Sequence, residues 1–320
     1  MRKLAALAFV ALLATVSGSS AQQAYPDKNV TILVPFAPGG IVDIAARIVG
    51  EGLAQLWGKQ VIVENRSGGS GFIAATAAAR AAPDGYTLLA AEAGVSVINQ
   101  LIFASTPYDM AKDFIPITLM SDTPIVVAVN TKSGINSMAD LIAKAKTEQL
   151  NYASPANGTL NHLTGEWIAL EADLKLRHIG YRGGAPAATA LAGGEVPIGI
   201  LAYSSIRPYV EAGNVKLLAV TGAERVEAAK DLPTLAESGV PNVATTQWAG
   251  LFAPAGTPDA IVQKIQADIA TVLAKPEIQK QFAAGGASVI QGSSAEFAKR
   301  LENERKQFGE IVTKAKITAN

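Results

Sequence analysis

The chain has 320 residues, and its 27 lysine and arginine side chains balance its 27 aspartate and glutamate side chains. A neutral chain without charged clusters is not typical of proteins that bind nucleic acid or polyanions. The chain has no cysteine, which excludes disulfide bonds and thiolate chemistry, and its length and 49% hydrophobic content predict two domains with substantial cores.

The first 21 residues have the three parts of a secretory signal peptide. Residues 1–3 are basic, residues 4–16 are almost wholly apolar, and the small residues Ser19, Ser20 and Ala21 form a cleavage signal. The apolar part is shorter than the roughly 20 residues that span a membrane. We therefore expect cleavage after Ala21 and export of the mature protein to the periplasm.

The next segment alternates between strand and helix patterns. Short apolar runs predict strands at residues 30–36, 61–64 and 86–91, and apolar positions three and four apart predict helices at residues 42–57 and 72–82. Apolar strands separated by helices are typical of a parallel sheet with helices on both faces.

The pattern changes near residue 114, where two extended runs, residues 114–120 and 124–130, are separated by three residues. A second strand–helix series follows, and residues 258–315 are mostly helical and predicted to pack on the first series. The sequence thus predicts an α/β fold of two lobes, similar to a type II periplasmic binding protein, with two crossover strands and a central ligand cleft. Lobe 1 comprises residues 22–123 plus 246–320, and lobe 2 comprises residues 124–245.

Four glycine-rich loops follow predicted strands and precede predicted helices. They occupy residues 37–40, 67–71, 154–159 and 182–184. Ligands of open α/β sheets bind at the carboxyl ends of strands, where helix N-termini offer unpaired N–H groups and partial positive charge. Each loop alone is equally well explained as a connecting turn. Two of the loops lie in each lobe, so together they predict an anion-binding site formed by both lobes.

A dinucleotide site is the rival interpretation of the second loop. Gly69, Gly71 and Ala74 match the spacing GxGxxA, and Glu92 ends the next strand about 20 residues later. However, three residues separate the preceding strand from the glycines, where the fingerprint requires a tighter turn. Nicotinamide cofactors are also not expected outside the cytoplasm. We therefore expect no cofactor.

The sequence offers little for catalysis. It has no GxSxG motif and no group of His, Asp and Glu with metal-ligand spacing, so a periplasmic hydrolase is disfavoured. Of the two histidines, His162 can face the cleft, whereas His178 lies in an apolar strand and is more typical of a structural residue. Asp43 either caps its helix or orders a water or the loop beside a ligand, and Arg47, one turn later, is its natural ion-pair partner.

Five motifs occur in order along the chain. They are PFAPGGIVDIAAR (35–47), VIVENRSGGSG (61–71), PDGYTLL (83–89), YRGGAPA (181–187) and WAGLFAPAGTP (248–258). The sequence resembles the periplasmic solute-binding receptors of tripartite tricarboxylate transporters, the Bug family, over nearly the whole mature chain. One departure is Ser67, which stands where the family usually has proline.

The resemblance implies a receptor that captures a small organic carboxylate and delivers it, as a monomer, to inner-membrane transporter subunits. One carboxylate group would be held by the first-lobe loop, with ordered waters, and by a loop of the second lobe. The expected ligand-binding residues are Pro38, Gly39, Gly40, Asp43, Gly69, Ser70, Ser154, Asn157, Gly158, Thr159, His162, Arg182, Gly183, Gly184, Ala185 and Ser204.

The number of cations in these loops bears on the ligand. Only Arg66 and Arg182 fall on the predicted cleft loops, and Ser204, Ser205 or Arg207 could meet a second carboxylate. This favours a short dicarboxylate over a tricarboxylate and leaves an aromatic acid or a neutral ligand open. A sensor that presents its ligand to a membrane kinase would use the same fold and site.

Overall fold

The computed structural model describes residues 25–226 and 230–319, so the expected signal peptide lies outside the described residues. The first sheet begins with three parallel strands, β1 (Val30–Val34), β2 (Val61–Asn65) and β3 (Thr87–Ala91), with β1 in the middle. Helices α1 (Ile41–Trp57) and α2 (Phe72–Ala79) connect them. These elements agree with the predicted alternation of strands and helices.

The chain after β3 contains helical turns that the sequence pattern did not predict. A π-helical turn, Gly94–Ile98, continues into the short helix α3 (Asn99–Ile102), and α4 (Met110–Asp113) follows. The side chain of Asp109 caps α4 by accepting a hydrogen bond from the N–H of Ala111.

Strand β4 (Phe114–Asn130) is continuous over 17 residues, so the prediction of two separate extended runs was wrong. The polar residues at its centre stay extended because they pair with β9 (Thr246–Pro254), with Ser121 opposite Ala249 and Asp122 opposite Trp248. A paired ladder satisfies the backbone groups of a polar segment as well as those of an apolar one. One strand therefore belongs to both halves of the molecule.

The second half of β4 carries a second sheet. It pairs with β7 (Ile198–Ala202) and β8 (Val215–Val220). Beyond β7 lie β5 (Leu150–Ser154) and then β6 (Leu176–Gly180), so the strand order of this sheet is β6-β5-β7-β4-β8. The helices of this half include, in chain order, α5 (Met138–Thr147), α6 (Leu160–Ala172), α7 (Gly184–Gly193) and α8 (Tyr203–Glu211). Strands β5, β6 and β7 run parallel to one another.

The C-terminal segment returns to the first sheet. It forms α9 (Asp259–Leu273), α10 (Pro276–Ala284), β10 (Ser288–Val289) and α11 (Ser294–Ala315). A capping box between Ser293 and Glu296 starts α11. The ring of Phe297 fills the space above Gly250 of β9, where an added Cβ would lie 2.4 Å from the ring.

Two segments cross between the sheets. One is β4, and the other is the short stretch at Thr245 that leads into β9. It lies beside β4 because Thr221 donates its N–H to Ile125 O and Thr245 donates its N–H to Thr221 O. The predicted α/β fold with two crossovers is therefore confirmed. Its first half is built around an apolar core that includes Ile32 and Phe282.

Candidate functional site

The direction of the strands places the cleft. In the first sheet, β9 runs antiparallel to both β3 and β4, so β4 points the same way as β1, β2 and β3. In the second sheet, β4 runs antiparallel to β7, and β7 is parallel to β5. The carboxyl ends of both sets of parallel strands therefore point toward the middle of β4. All four glycine-rich loops lie at these ends.

The two halves meet at the loops. Gly158, in the loop after β5, is buried with a φ of +76°, and a Cβ there would lie 2.5 Å from Cδ1 of Ile102 in α3. Ile102 follows the carboxyl end of β3 in the other half. The lobes are thus in contact across the cleft, and the positive φ of position 158 together with this close approach favours glycine there.

Asp43 organises the loop after β1. Its carboxylate accepts hydrogen bonds from the N–H of Gly39 (2.9 Å), from Nδ2 of Asn65 (2.8 Å) and from Nε of Arg47 (3.0 and 3.1 Å). Asn65 also donates to Phe36 O (3.0 Å). Burial by itself would raise the pKa of Asp43, but the hydrogen bonds from Arg47, Gly39 and Asn65 hold it below its usual range. Asp43 is therefore an internal support of the loop, and its charge is satisfied within the protein.

The same loop leaves other donors unused. Helix α1 begins after Gly40, and no side chain caps its first turn. Within the described residues, the N–H groups of Gly40 and Ile41 donate no hydrogen bond. A Cβ on Gly39 would meet nothing within 4 Å, and one on Gly40 would meet only Ala37 O at 3.7 Å. The N-terminus of this 17-residue helix therefore has unpaired N–H groups, and the exposed loop in front of it leaves space for a ligand.

The loop after β2 is a tight glycine turn. Ser70 has a φ of 56°, and its carbonyl accepts a hydrogen bond from Nδ2 of Asn99 at 2.8 Å. Gly71 lies against Pro35 and Val95, because a Cβ there would lie 3.1 and 2.6 Å from their side chains. Packing thus accounts for Gly71, while Gly69 and Ser70 are exposed.

Glu92 does not serve as a ribose ligand, which removes the acidic part of the dinucleotide interpretation. It is buried, and its carboxylate accepts the N–H of Gly94 at 2.7 Å. Burial raises the pKa of Glu92 to about 7, against the effect of hydrogen bonds from the N–H groups of Gly94 and Val95. Its carboxyl group is therefore engaged by the N–H of Gly94, the first residue of the π-helical turn.

The loop after β5 is supported from beneath by hydroxyl groups. Thr159 caps α6, donating its hydroxyl to Ala156 O (2.9 Å) and accepting the N–H of His162 (3.3 Å). Ser154 is fully buried; its hydroxyl donates to Ala156 O (3.1 Å) and lies 2.6 Å from Nε2 of His178. These two expected ligand residues therefore hold the loop, and the residue that it exposes is Asn157.

The two histidines stack beneath this loop. Their ring centroids are 3.8 Å apart, and Nδ1 of His162 accepts the N–H of Gly158 at 3.1 Å. Burial lowers the pKa of His162 to about 4, and burial together with His162 lowers the pKa of His178 to about 3. Both rings are therefore neutral near pH 7. The pairing joins β6 to α6, which no local pattern in the sequence indicated.

A buried tyrosine completes this cluster. The hydroxyl of Tyr152 lies 2.7 Å from Oε1 of Glu166 and 3.0 Å from His162 O, so its single proton is shared between these two acceptors. Gly165 lies directly against the Tyr152 ring. Sequence reasoning missed Tyr152 and Glu166. The i,i+4 spacing of His162 and Glu166 was the available signal, because residues at that spacing lie on one helix face.

Arg182 is the unpaired cation among the three arginines that the sequence offered as ligand contacts. Arg66 pairs with Glu64 at 2.8 Å, and Arg207 pairs with Glu211 at 2.8 Å. Arg182 is exposed after β6 and has no hydrogen bond or ion pair in the part of the chain that the structure describes. Its turn is fixed by Gly183, which has a φ of +121° and donates its N–H to Pro155 O at 2.8 Å.

The start of α8 adjoins this turn. A Cβ on Gly184 would lie 2.6 Å from Oγ of Ser205 and 3.3 Å from its Cβ, so α7 and α8 approach each other closely at this glycine. Ser204 and Ala185 lie beside this contact in the chain. Within residues 25–226 and 230–319, no three His, Cys, Asp or Glu side chains form a group that could hold a metal ion. None of the helices described is both long and apolar enough to cross a bilayer.

Comparison with known proteins identifies the receptor type. The family model for the tripartite tricarboxylate transporter family receptor matches residues 45–317. The chain belongs to this family. It is a solute-binding receptor and not an enzyme. Relatives include a UPF0065 protein of Bordetella bronchiseptica, 37% identical over 96% of this chain and 91% of that protein, and BugT of Bordetella pertussis, 31% identical over 90% of both.

Solved structures of similar receptors support the fold. Rpa4515 of R. palustris, solved with adipate, has a TM-score of 0.86 and 33% identity, and the match covers 92% of this chain and 99% of that one. MatC of Rhodopseudomonas palustris, solved with bound malate, has a TM-score of 0.81 and 28% identity over 90% of this chain and 100% of that one. The resemblance read from the five motifs is therefore confirmed.

Proposed function

We propose that this receptor captures a small dicarboxylate between its two lobes and delivers it to inner-membrane transporter subunits. The observation that carries the proposal is the unpaired Arg182 on one carboxyl edge, with the open N-terminus of α1 on the other. A guanidinium and a helix N-terminus are both favourable partners for a carboxylate. Two such partners, one on each lobe, suit a ligand with two carboxylate groups.

The contacts within each loop indicate which residues we propose to touch the ligand and which to hold the loop in shape. Gly40 and Ile41 offer N–H groups to the first carboxylate, while Asp43 and Gly39 hold the loop in shape. On the other lobe, Arg182 and the exposed Asn157 receive the ligand. The remaining expected residues would contact the ligand through backbone groups of their loops. They are Gly69, Ser70, residues 183–185 and Ser204.

The cellular setting is part of the same proposal. Residues 1–21 direct export and are removed, and the mature monomer works in the periplasm. Residues 22–123 with 246–320 form the first lobe, and residues 124–245 form the second. The proposal is supported by membership of the receptor family and by the similarity to Rpa4515, solved with adipate, and to MatC, solved with bound malate.

The test is a thermal-shift and calorimetry panel of adipate, malate, citrate and a monocarboxylate on the mature protein. A ligand at 100 times its dissociation constant should stabilise the folded form by roughly 2.7 kcal/mol. We expect the dicarboxylates to bind more tightly than citrate or the monocarboxylate. Failure of every carboxylate to bind would refute the function, and tighter binding of citrate would refute the dicarboxylate preference.

Arg182→Ala with Arg66→Ala as its matched control tests the site itself. Hydrogen bonds to charged groups contribute about 1.5–3 kcal/mol, so Arg182→Ala should weaken dicarboxylate binding by about ten-fold or more. Arg66→Ala should change the affinity by less than about two-fold, because the Arg66 guanidinium is already paired with Glu64. Equal effects of the two variants would contradict the assignment of Arg182.

A further inference from the structure

Helix α8 of one half touches the end of helix α10 of the other. Nη1 of Arg207 donates to Ala284 O at 3.1 Å, and its Nε donates to Oε1 of Glu211 at 2.8 Å. Ala284 is the last residue of α10, so its carbonyl is one of those left without an intrahelical partner. A cation at this position also interacts favourably with the negative end of the helix dipole.

A second contact lies beside the first. Gly286 is buried with a φ of +74°, and a Cβ there would lie 3.1 Å from Cδ1 of Tyr203 and 3.8 Å from the N of Ser204. Tyr203 is the first residue of α8, directly after β7. Its ring therefore covers the backbone of the turn between α10 and β10.

These contacts join parts of the molecule that are anchored in different cores. Ile206 of α8 packs in a core with Leu201 of β7, whereas Phe282 of α10 packs in a core with Ile32 of β1. Both neighbouring strands lie beside the middle of β4: β7 ends at Ala202 opposite Ile125, and β10 pairs with Ser121 and Asp122. The contact between α8 and α10 therefore lies next to residues 121–125 of β4, where the strand leaves the first sheet and enters the second.

We propose that Arg207 and Tyr203 form an inter-lobe clasp that sets the fraction of closed receptor, and through it the affinity for every ligand. The clasp rests on the proposed function, in which the closed form is the one that grips the ligand. The apparent dissociation constant equals the intrinsic constant divided by the fraction of competent protein. A change in that fraction therefore changes the affinity for all ligands by one common factor.

Arg207 is in this way a positioning residue and not a ligand contact. The sequence suggested that it could meet a second carboxylate, but its guanidinium is directed to Glu211 and to the carbonyl of Ala284. A residue that touches the ligand would change the affinities for different acids by different factors. This difference separates the two roles experimentally.

The experiment exploits the absence of cysteine from the chain. Spin labels at Gln55→Cys in α1 and Lys146→Cys in α5, both exposed positions, report the distance between the lobes by pulsed electron paramagnetic resonance. In the ligand-free protein, Arg207→Ala should move the distance distribution toward longer separations. It should also raise the dissociation constants of adipate and malate by one common factor of about two to ten.

Three further variants complete the test. Arg207→Lys keeps a donor and should restore part of the short-distance population, and Glu211→Gln should shift the distribution in the same direction as Arg207→Ala but less. Arg225→Ala is the matched control, because Arg225 pairs with Glu237 at 2.9 Å within the same half. It should leave the distances unchanged.

Different outcomes would refute the clasp and the dicarboxylate-binding function. An unchanged distance distribution in Arg207→Ala would overturn the clasp, and so would a loss of affinity for only one of the two acids. If the wild-type protein bound neither acid, the proposed dicarboxylate function would fail. The ligand-free distance measurement would then still decide for or against the clasp.

Discussion

The main-chain N–H of Gly158 donates to Nδ1 of His162 at 3.1 Å, so a neutral imidazole holds the second-lobe loop in shape. The same imidazole stacks on His178, which in turn lies 2.6 Å from the hydroxyl of Ser154. Protonation of Nδ1 would replace the acceptor of the Gly158 N–H by a second donor. The conformation of the loop therefore depends on the protonation state of the histidine pair.

The first prediction is a loss of stability in mild acid. The pKa values of His162 and His178 fall from 6.5 to about 4 and about 3 on folding. Between pH 6.5 and these values the unfolded chain binds more protons than the folded protein, so the free energy of unfolding decreases as the pH falls. His178→Gln should remove about 1–2 kcal/mol of the decrease between pH 7 and pH 5.

Urea unfolding of wild type and His178→Gln at several pH values measures this difference. The comparison with the variant is necessary because Glu92 acts in the opposite direction. Its pKa rises from 4.5 to about 7 on folding, so its contribution to stability increases as the pH falls through this range. Parallel pH curves for the two proteins would contradict the role assigned to His178.

The second prediction concerns Asp43 as the support of the first-lobe loop. Asp43→Ala removes the acceptor of the Gly39 N–H and leaves the amide of Asn65 and the guanidinium of Arg47 without it. We expect a loss of about 1–3 kcal/mol in the free energy of unfolding. We also expect weaker adipate binding, because the loop then loses the conformation in which it presents its N–H groups.

Asp259→Ala is the matched control, because it removes a first-turn carboxylate, with its favourable interaction with the helix dipole, from a different helix. Asp259 lies in the first turn of α9, away from the cleft loops, and is exposed. It should cost less stability and leave adipate affinity unchanged. If Asp43→Ala lowered stability but bound adipate as tightly as wild type, Asp43 would stabilise α1 without shaping the ligand-binding loop.

The third prediction tests the backbone of the first-lobe loop at Gly40. Its φ of −77° and ψ of 165° suit any residue, and an added Cβ has no neighbour closer than 3.7 Å. Gly40→Val should therefore still fold, with its stability lowered only by the poorer N-cap that valine makes for α1, about 1 kcal/mol. The valine side chain would occupy the space in front of the α1 N-terminus and should abolish thermal stabilisation by adipate.

Gly193→Val provides the comparison for adding the same side chain. Gly193 is exposed at the end of α7, and an added Cβ would meet nothing within 4 Å. This variant should respond to adipate as wild type does. Normal adipate binding by Gly40→Val would exclude the loop as the site that receives the carboxylate.

Short-range features of this protein were predictable from its sequence. The strand–helix alternation, the four glycine-rich loops at strand ends and the i,i+4 pair of Asp43 and Arg47 depend on windows of a few residues. Periodicity and turn preferences act over such windows, so the sequence alone determines them. The five ordered motifs likewise led to the correct receptor family.

Only the tertiary structure decided which of the polar groups are already satisfied. Asn65 reaches Asp43 across 22 residues, His178 reaches His162 across 16, and Arg207 reaches Ala284 across 77. Such partners are set by how strands and helices pack, which no local pattern encodes. The continuity of β4 through its polar centre has the same origin, because pairing with β9 stabilises it there. Whether an arginine is free for a ligand, as Arg182 is, therefore depends on packing between distant segments.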